Sequence, residues 1–166
     1  MLKAGSKAPD FKLPDSDDNE VTLSQLLKNG PLILYFYPAD FTPGCTKEAC
    51  SIRDIHDDIT SVGLQVVGVS PQDAESHRKF RDQHSLPFLL LCDPEKEVVK
   101  AYDVDGPLGF GVRRVTYLIT QDQKIEDAVQ ADIRIDKHND FIDNAILLQR
   151  SAAKTNRVKS GQVAGT

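Results

Sequence analysis

No run of apolar residues in this sequence approaches the roughly 20 that a helix needs to cross a bilayer, so a soluble chain with no membrane partner is expected. The opening MLKAGSKAPDF holds no apolar block of the signal-peptide kind and reaches an acid at Asp10. That fits neither a secretory signal nor a basic, acid-poor transit peptide. Cysteine is scarce and odd in number, three in 166 residues. A secreted disulfide framework is disfavoured, and thiols used chemically in a reducing compartment are expected, cytoplasmic or, had a leader been removed, plastid. No C-x-x-C pair and no Cys–His grouping with zinc spacing occurs, so neither a metal nor an organic cofactor is expected. Positive charge is short as well: the net charge of −5 speaks against nucleic acid, which demands Lys and Arg clustered on one face. Arg150, Lys154, Arg157 and Lys159 nonetheless close the chain without an acid among them, which leaves −9 for the rest. Residues 151–166 accordingly read as a basic, solvated and poorly ordered tail behind a single domain at 1–150.

What is present is the composition of an ordinary globular domain, 40% apolar and 27% charged, long enough to bury roughly 70% of its unfolded surface without disulfide staples. PLILYFY at 31–37 and LQVVGVS at 64–70 are short, apolar and β-rich, as strands covered on both faces are. Between them Ile52, Ile55 and Ile59 recur at spacings of three and four, and Pro43 suits a first helical position after Thr42, so a helix capped by Thr42 is predicted. Ser70, Pro71 and Asp73 give a second start signal for a helix over QDAESHRKFRDQH, PFLLL follows as a strand, and Asp93 with Pro94 caps a short helix to about Tyr102. RVTYLIT and KIEDAVQAD read as two strands joined by QDQK. The last segment, DKHNDFIDNAILLQRSA, is an amphipathic helix with Phe141, Ile142, Ile146 and Leu147 on one side. The Gly-rich DGPLGFG near residue 105 reads as a loop over the sheet edge. This alternation predicts an α/β fold, a central mixed sheet with helices on both faces.

The chemistry concentrates in FTPGCTKEAC, residues 41–50, which holds two of the three thiols. With Thr42 as the cap, Cys45 falls in the first helical turn, where unpaired N–H groups and the helix dipole stabilise negative charge. Cysteines so placed have their pKa lowered from about 8.5, which makes Cys45 the candidate nucleophile. Cys50 lies five residues on, a Cα separation of roughly 8.6 Å in an ideal helix. That is beyond the roughly 7 Å limit of an unstrained disulfide, so the two thiols cannot join while the helix is intact. Local unwinding would let them.

These residues resemble the peroxiredoxins, and within them the bacterioferritin comigratory protein or peroxiredoxin Q subgroup. The family's P-x-x-x-T-x-x-C stands here as Pro38, Thr42 and Cys45, within FYPADFTPGCTKEAC, and the likeness runs from AGSKAPDFKLPD through LQVVGVSPQD to GVRRVTYLIT. The resemblance implies a thioredoxin-like fold and reduction of hydrogen peroxide and alkyl hydroperoxides, with Cys45 peroxidatic and Cys50 resolving through an intramolecular disulfide. It also implies thioredoxin or a related dithiol protein as electron donor, and a monomer. Of the two arginines at the start of the late strand, the subgroup pattern before VTYLI selects Arg114 for the active site and leaves Arg113 facing solvent. Arg114, the Thr42 hydroxyl and the N–H groups near Gly44 and Cys45 are the expected donors to the departing oxygen. Pro38 would shape and shield the pocket.

Several residues carry lesser expectations. Cys92 ends an apolar strand and reads as a core residue. Glu48 either orients the arginine or is an exposed helix carboxylate. His56, His77, His84 and His138 read as surface residues, Tyr35, Phe36 and Tyr37 as strand core, and Phe41 as a pocket wall. Gln123 stands in the hairpin turn where a Gly is expected. Two rival functions are a general thiol-disulfide oxidoreductase, which would want C-x-x-C, and a thioredoxin-like binding module with inert thiols.

Overall fold

The computed structural model describes residues 1–161. A short antiparallel pair, β1 (Lys12–Pro14) and β2 (Glu20–Thr22), leads through α1 (Leu23–Leu27) into β3 (Leu32–Phe36). All five residues of β3 are buried, which only a strand covered on both faces tolerates. There follow α2 (Pro43–Asp54), α3 (His56–Ser61), β4 (Gln65–Ser70), α4 (Ala74–His84), β5 (Leu89–Cys92) and α5 (Glu97–Ala101). The chain then crosses the Gly-rich loop, pairs β6 (Val115–Ile119) with β7 (Ile125–Gln130), and closes in α6 (Ile135–Gly161). The sheet order is β5-β4-β3-β6-β7, with β3, β4 and β5 parallel and β6 and β7 added antiparallel.

Alternation along β3 divides the core into two layers. Leu32, Leu34 and Phe36 pack with residues of α1 and α5 on one face. Ile33 and Tyr35 point the other way, and with Tyr37 they meet Ala49 and Ile52 of α2, Ile59 of α3, Phe80 of α4 and Ile142 and Ile146 of α6. Helices therefore cover both faces of a mixed sheet, as the sequence predicts.

The departures are local and have physical causes. The helix expected to run through Ile59 breaks at Ile55 (φ −110°, ψ 11°) and restarts with Asp57 and Asp58 in the first turn of α3, where the dipole favours acids. Leu147 is 58% exposed; it lies about 140° around α6 from buried Ile142 and so leaves the apolar face. His77 and His138 are fully buried rather than on the surface, which is tolerable because both nitrogens of each ring find polar partners. Gln123 does adopt a left-handed backbone (φ 65°). It is held there because its carbonyl accepts from Ala8 N–H and its Nε2 donates to the Ala8 carbonyl, tying the hairpin to the N-terminal segment. The expected tail boundary at 150 is not marked in the backbone: α6 continues to Gly161 with every residue from Ser151 exposed. The remainder of that tail, 162–166, lies outside the described residues.

Candidate active site

Beyond β3 the chain passes through residues 37–42 and enters α2 with Thr42 extended (φ −73°, ψ 148°) and Pro43 in the first turn. Proline is suited to this place because the N–H it lacks would have no helical partner. Thr42 occupies the cap position, but its hydroxyl does not cap. It donates to the Ala39 carbonyl at 3.0 Å, bracing the loop instead. Among the described residues no backbone acceptor meets the N–H groups of Gly44 and Cys45, the orphan donors that a helix start leaves.

Cys45 is 2% exposed, and what reaches it is Arg114. The register that pairs Phe36 with Val115 sets Arg114 beside the end of β3. Its Nη2 donates to Cys45 Sγ at 3.4 Å and its Nη1 to Glu48 Oε2 at 2.5 Å. The backbone is fixed too, Arg114 N–H donating to Asp132 Oδ1 at 2.9 Å. Gly44 is what lets the guanidinium in: a Cβ there would stand 3.1 Å from Arg114 Nη2, a tight contact. Arg113, by contrast, has a half-exposed side chain with Asp132 3.9 Å away. Burial alone would lower the pKa of Arg114, but Glu48 and the Cys45 sulfur outweigh it and hold the guanidinium charged.

Glu48 follows Cys45 by three residues and so shares its helix face. It is fully buried, and burial, partly countered by Arg114, pushes its carboxyl up to about 7. Its other oxygen, Oε1, has no hydrogen-bond partner and lies 3.7 Å from Nδ1 of His138. That ring is fixed by Thr116 Oγ1 at 2.8 Å from Nδ1 and by the Ala131 carbonyl at 3.0 Å from Nε2. Burial lowers the His138 pKa, so the neutral ring donates from Nε2 to the carbonyl and accepts the Thr116 hydroxyl at Nδ1. His138, Thr116 and Asp132 escape sequence reasoning altogether, since no spacing links them to the thiol.

Pro38 lines a groove of about 270 Å³ beside Arg114, together with Gly106, Phe110 and Val112. The larger hollow of about 410 Å³ around Leu64, Leu86 and Phe88 includes neither Cys45 nor Arg114. Phe41, expected as a pocket wall, is 45% exposed and meets Phe80 edge to face. Cys50 is half-buried and reduced, inside intact α2 with Cys45. Cys92 is core, as expected: it is buried, and burial pushes its thiol up to about 11.

The AhpC/TSA family profile matches residues 4–128. Peroxiredoxin Bcp of Bacillus subtilis is 41% identical over 130 residues, 75% of this chain and 82% of that one. The chloroplastic peroxiredoxin Q of Oryza sativa subsp. japonica is 40% identical over 139 residues, 82% of this chain and 63% of the longer rice protein. Among solved structures, peroxidoxin BcpB of Mycobacterium tuberculosis superposes with a TM-score of 0.83 at 35% identity, covering 91% of this chain and 98% of that one. The fold is therefore that of thioredoxin-like peroxiredoxins, and the chain belongs to the AhpC/TSA family as a thiol-dependent peroxidase of the peroxiredoxin Q or Bcp type.

Proposed function

We propose that Cys45 is the nucleophile of this peroxidase, that Cys50 resolves it, and that Arg114, Thr42 and Pro38 form the peroxide pocket with the free N–H groups of Gly44 and Cys45. The observation that carries the reading is the 3.4 Å approach of Arg114 Nη2 to Cys45 Sγ, with Nη1 of the same guanidinium pinned on Glu48. The Cys45 thiolate attacks one peroxide oxygen in line. The O–O bond breaks, sulfur becomes the sulfenic acid, and the second oxygen leaves with the bonding pair and takes up a proton to become water or an alcohol. Charge grows on that leaving oxygen, and donors already in place stabilise it without reorganisation. Arg114 and the two N–H groups are such donors. The Thr42 hydroxyl has committed its proton to Ala39 and serves the peroxide as an acceptor.

The second step joins Cys50 sulfur to Cys45 sulfur and expels the sulfenic oxygen as water. A dithiol protein of the thioredoxin kind then reopens the bond by exchange. Hydrogen peroxide and alkyl hydroperoxides are the substrates, the groove at Pro38 and Phe110 accommodating an organic substituent. A resolving thiol in the same chain makes a monomer sufficient, and three free thiols suit the cytoplasm.

Peroxide consumption with and without reduced thioredoxin tests the whole reading. Cys45→Ser should abolish turnover while leaving the fold intact, because the hydroxyl stays protonated; near-normal turnover would overturn the assignment. Arg114→Ala should slow oxidation of Cys45 by about one to three orders of magnitude. Arg113→Ala should leave it close to wild type.

A further inference from the structure

The loop that delivers Cys45 is held by groups that take no part in the chemistry above. Phe41 sits at φ 63°, a left-handed backbone that a bulky residue adopts only when its surroundings impose it. The Asp40 carboxylate, almost wholly buried, is met by three partners. The Tyr37 hydroxyl donates to Oδ1 at 2.6 Å, the Ser76 hydroxyl donates to Oδ2 at 2.8 Å, and His77 Nδ1 lies 2.7 Å from Oδ2. His77 is fully buried on α4, and its Nε2 lies 3.0 Å from the Leu91 carbonyl of β5. Both ring nitrogens thus face oxygen partners. The Phe41 ring closes on Phe80 of the same helix, centroids 5.3 Å apart. Two successive loop residues are therefore fastened to α4, and α4 through His77 to β5.

We propose that Asp40 and His77 are positioning residues of the peroxidase: they clamp the loop that places Cys45 and its pocket, and they set how readily the start of α2 leaves that conformation after oxidation. The sulfur itself is met by Arg114, so the clamp acts through the backbone. The inference rests on Cys45 as nucleophile and Cys50 as resolving thiol. Releasing the clamp has two effects. The pocket loosens, so peroxide attack slows. The helix start is freed, so the sulfenic acid reaches Cys50 sooner and less often meets a second peroxide, which would take the sulfur to sulfinic acid and itself be reduced to the alcohol or water.

The two contacts of His77 can be separated by substitution. His77→Asn puts an amide where Nδ1 stood and keeps the Asp40 partner; His77→Gln reaches the place of Nε2 and keeps Leu91. Cys45 oxidation by hydrogen peroxide, followed by quenched-flow mass spectrometry, should be about tenfold slower in His77→Gln and in Asp40→Asn, a misplacement effect. In His77→Asn it should stay within about threefold of wild type. Under excess peroxide the sulfinic fraction should fall in the two slow variants and hold in His77→Asn. Equal losses in His77→Asn and His77→Gln would reduce His77 to packing and overturn the proposal, as would wild-type rates in all three. Ser76→Ala removes one donor at a partly buried site and should slow attack by about threefold; should the buried variants not fold, a wild-type rate here overturns the clamp. A wild-type protein that forms no Cys45–Cys50 disulfide overturns the site assignment instead, whatever the variants do.

Discussion

Glu48 is the residue whose charge is most finely balanced. Its carboxyl moves from an ordinary 4.5 to about 7 because burial outweighs the help of Arg114. The ionised form accepts a charge-assisted bond from the guanidinium, and the protonated form is the weaker acceptor. Peroxide attack should therefore slow as pH falls through about 7. Stability moves the opposite way. The native carboxyl binds its proton more readily than the unfolded one, so its contribution is fully present below pH 4.5 and is lost as pH rises through about 7. The loss is about 3 kcal/mol in all. Urea midpoints at pH 5 and pH 8 check this: wild type should lose ground to Glu48→Gln at the higher pH, and the variant should react more slowly with a flatter acid limb. At this scale the sequence was half legible. The family pattern points to Arg114 over Arg113, and the strand register turns the Arg114 guanidinium to Cys45 Sγ. In sequence His138 and His77 look like surface residues because their partners, Thr116 and Asp40, lie 22 and 37 positions away, and only the folded chain brings them together.

The element that matters most is α2, because it holds Cys45 and Cys50 in one unbroken helix. In ideal geometry their Cα atoms stand roughly 8.6 Å apart, so the disulfide proposed for them would require about one to two turns to unwind in each cycle. Opening at a helix terminus lies well below global unfolding in free energy, so the step need not be slow. One equivalent of peroxide should produce an intramolecular Cys45–Cys50 link by peptide mapping, with faster amide exchange in residues 42–52. Cys50→Ser should stall as the sulfenic acid and then over-oxidise. Retained protection across this segment, or a link to another chain, would rule the unwinding out. The start of α2 could be read from Pro43 behind Thr42, since backbone stereochemistry fixes it. What the Thr42 hydroxyl does could not, because a side-chain oxygen chooses among nearby partners and here takes Ala39. The break at Ile55 was likewise hidden, the isoleucine spacing continuing across it.

For the molecule as a whole, the alternation of buried strands and helices is legible because the runs that form β3, β4 and β6 are apolar enough to need cover on both faces. The extent of α6 was not, since nothing apolar marks its final turns. Removing 151–166 should change the unfolding free energy by less than about 0.5 kcal/mol, as exposed substitutions do, and leave peroxide turnover untouched. The buried contacts of α6 end at Ile146, and a melting temperature lowered by several degrees would show that the extension packs after all. The two-layered core has one more consequence. The chain has no tryptophan and four tyrosines, and all four are buried, Tyr35 and Tyr37 in the layer of Cys45, Tyr102 and Tyr117 in the opposite one. The rings of each pair are 5.4 and 5.6 Å apart. The tyrosine part of the near-ultraviolet signal thus comes from two phenol pairs on either side of the sheet, one in the layer that α2 covers and one in the opposite layer. The unwinding proposed for α2 should therefore change the tyrosine circular dichroism through the first pair, without any label, while the second pair keeps its surroundings.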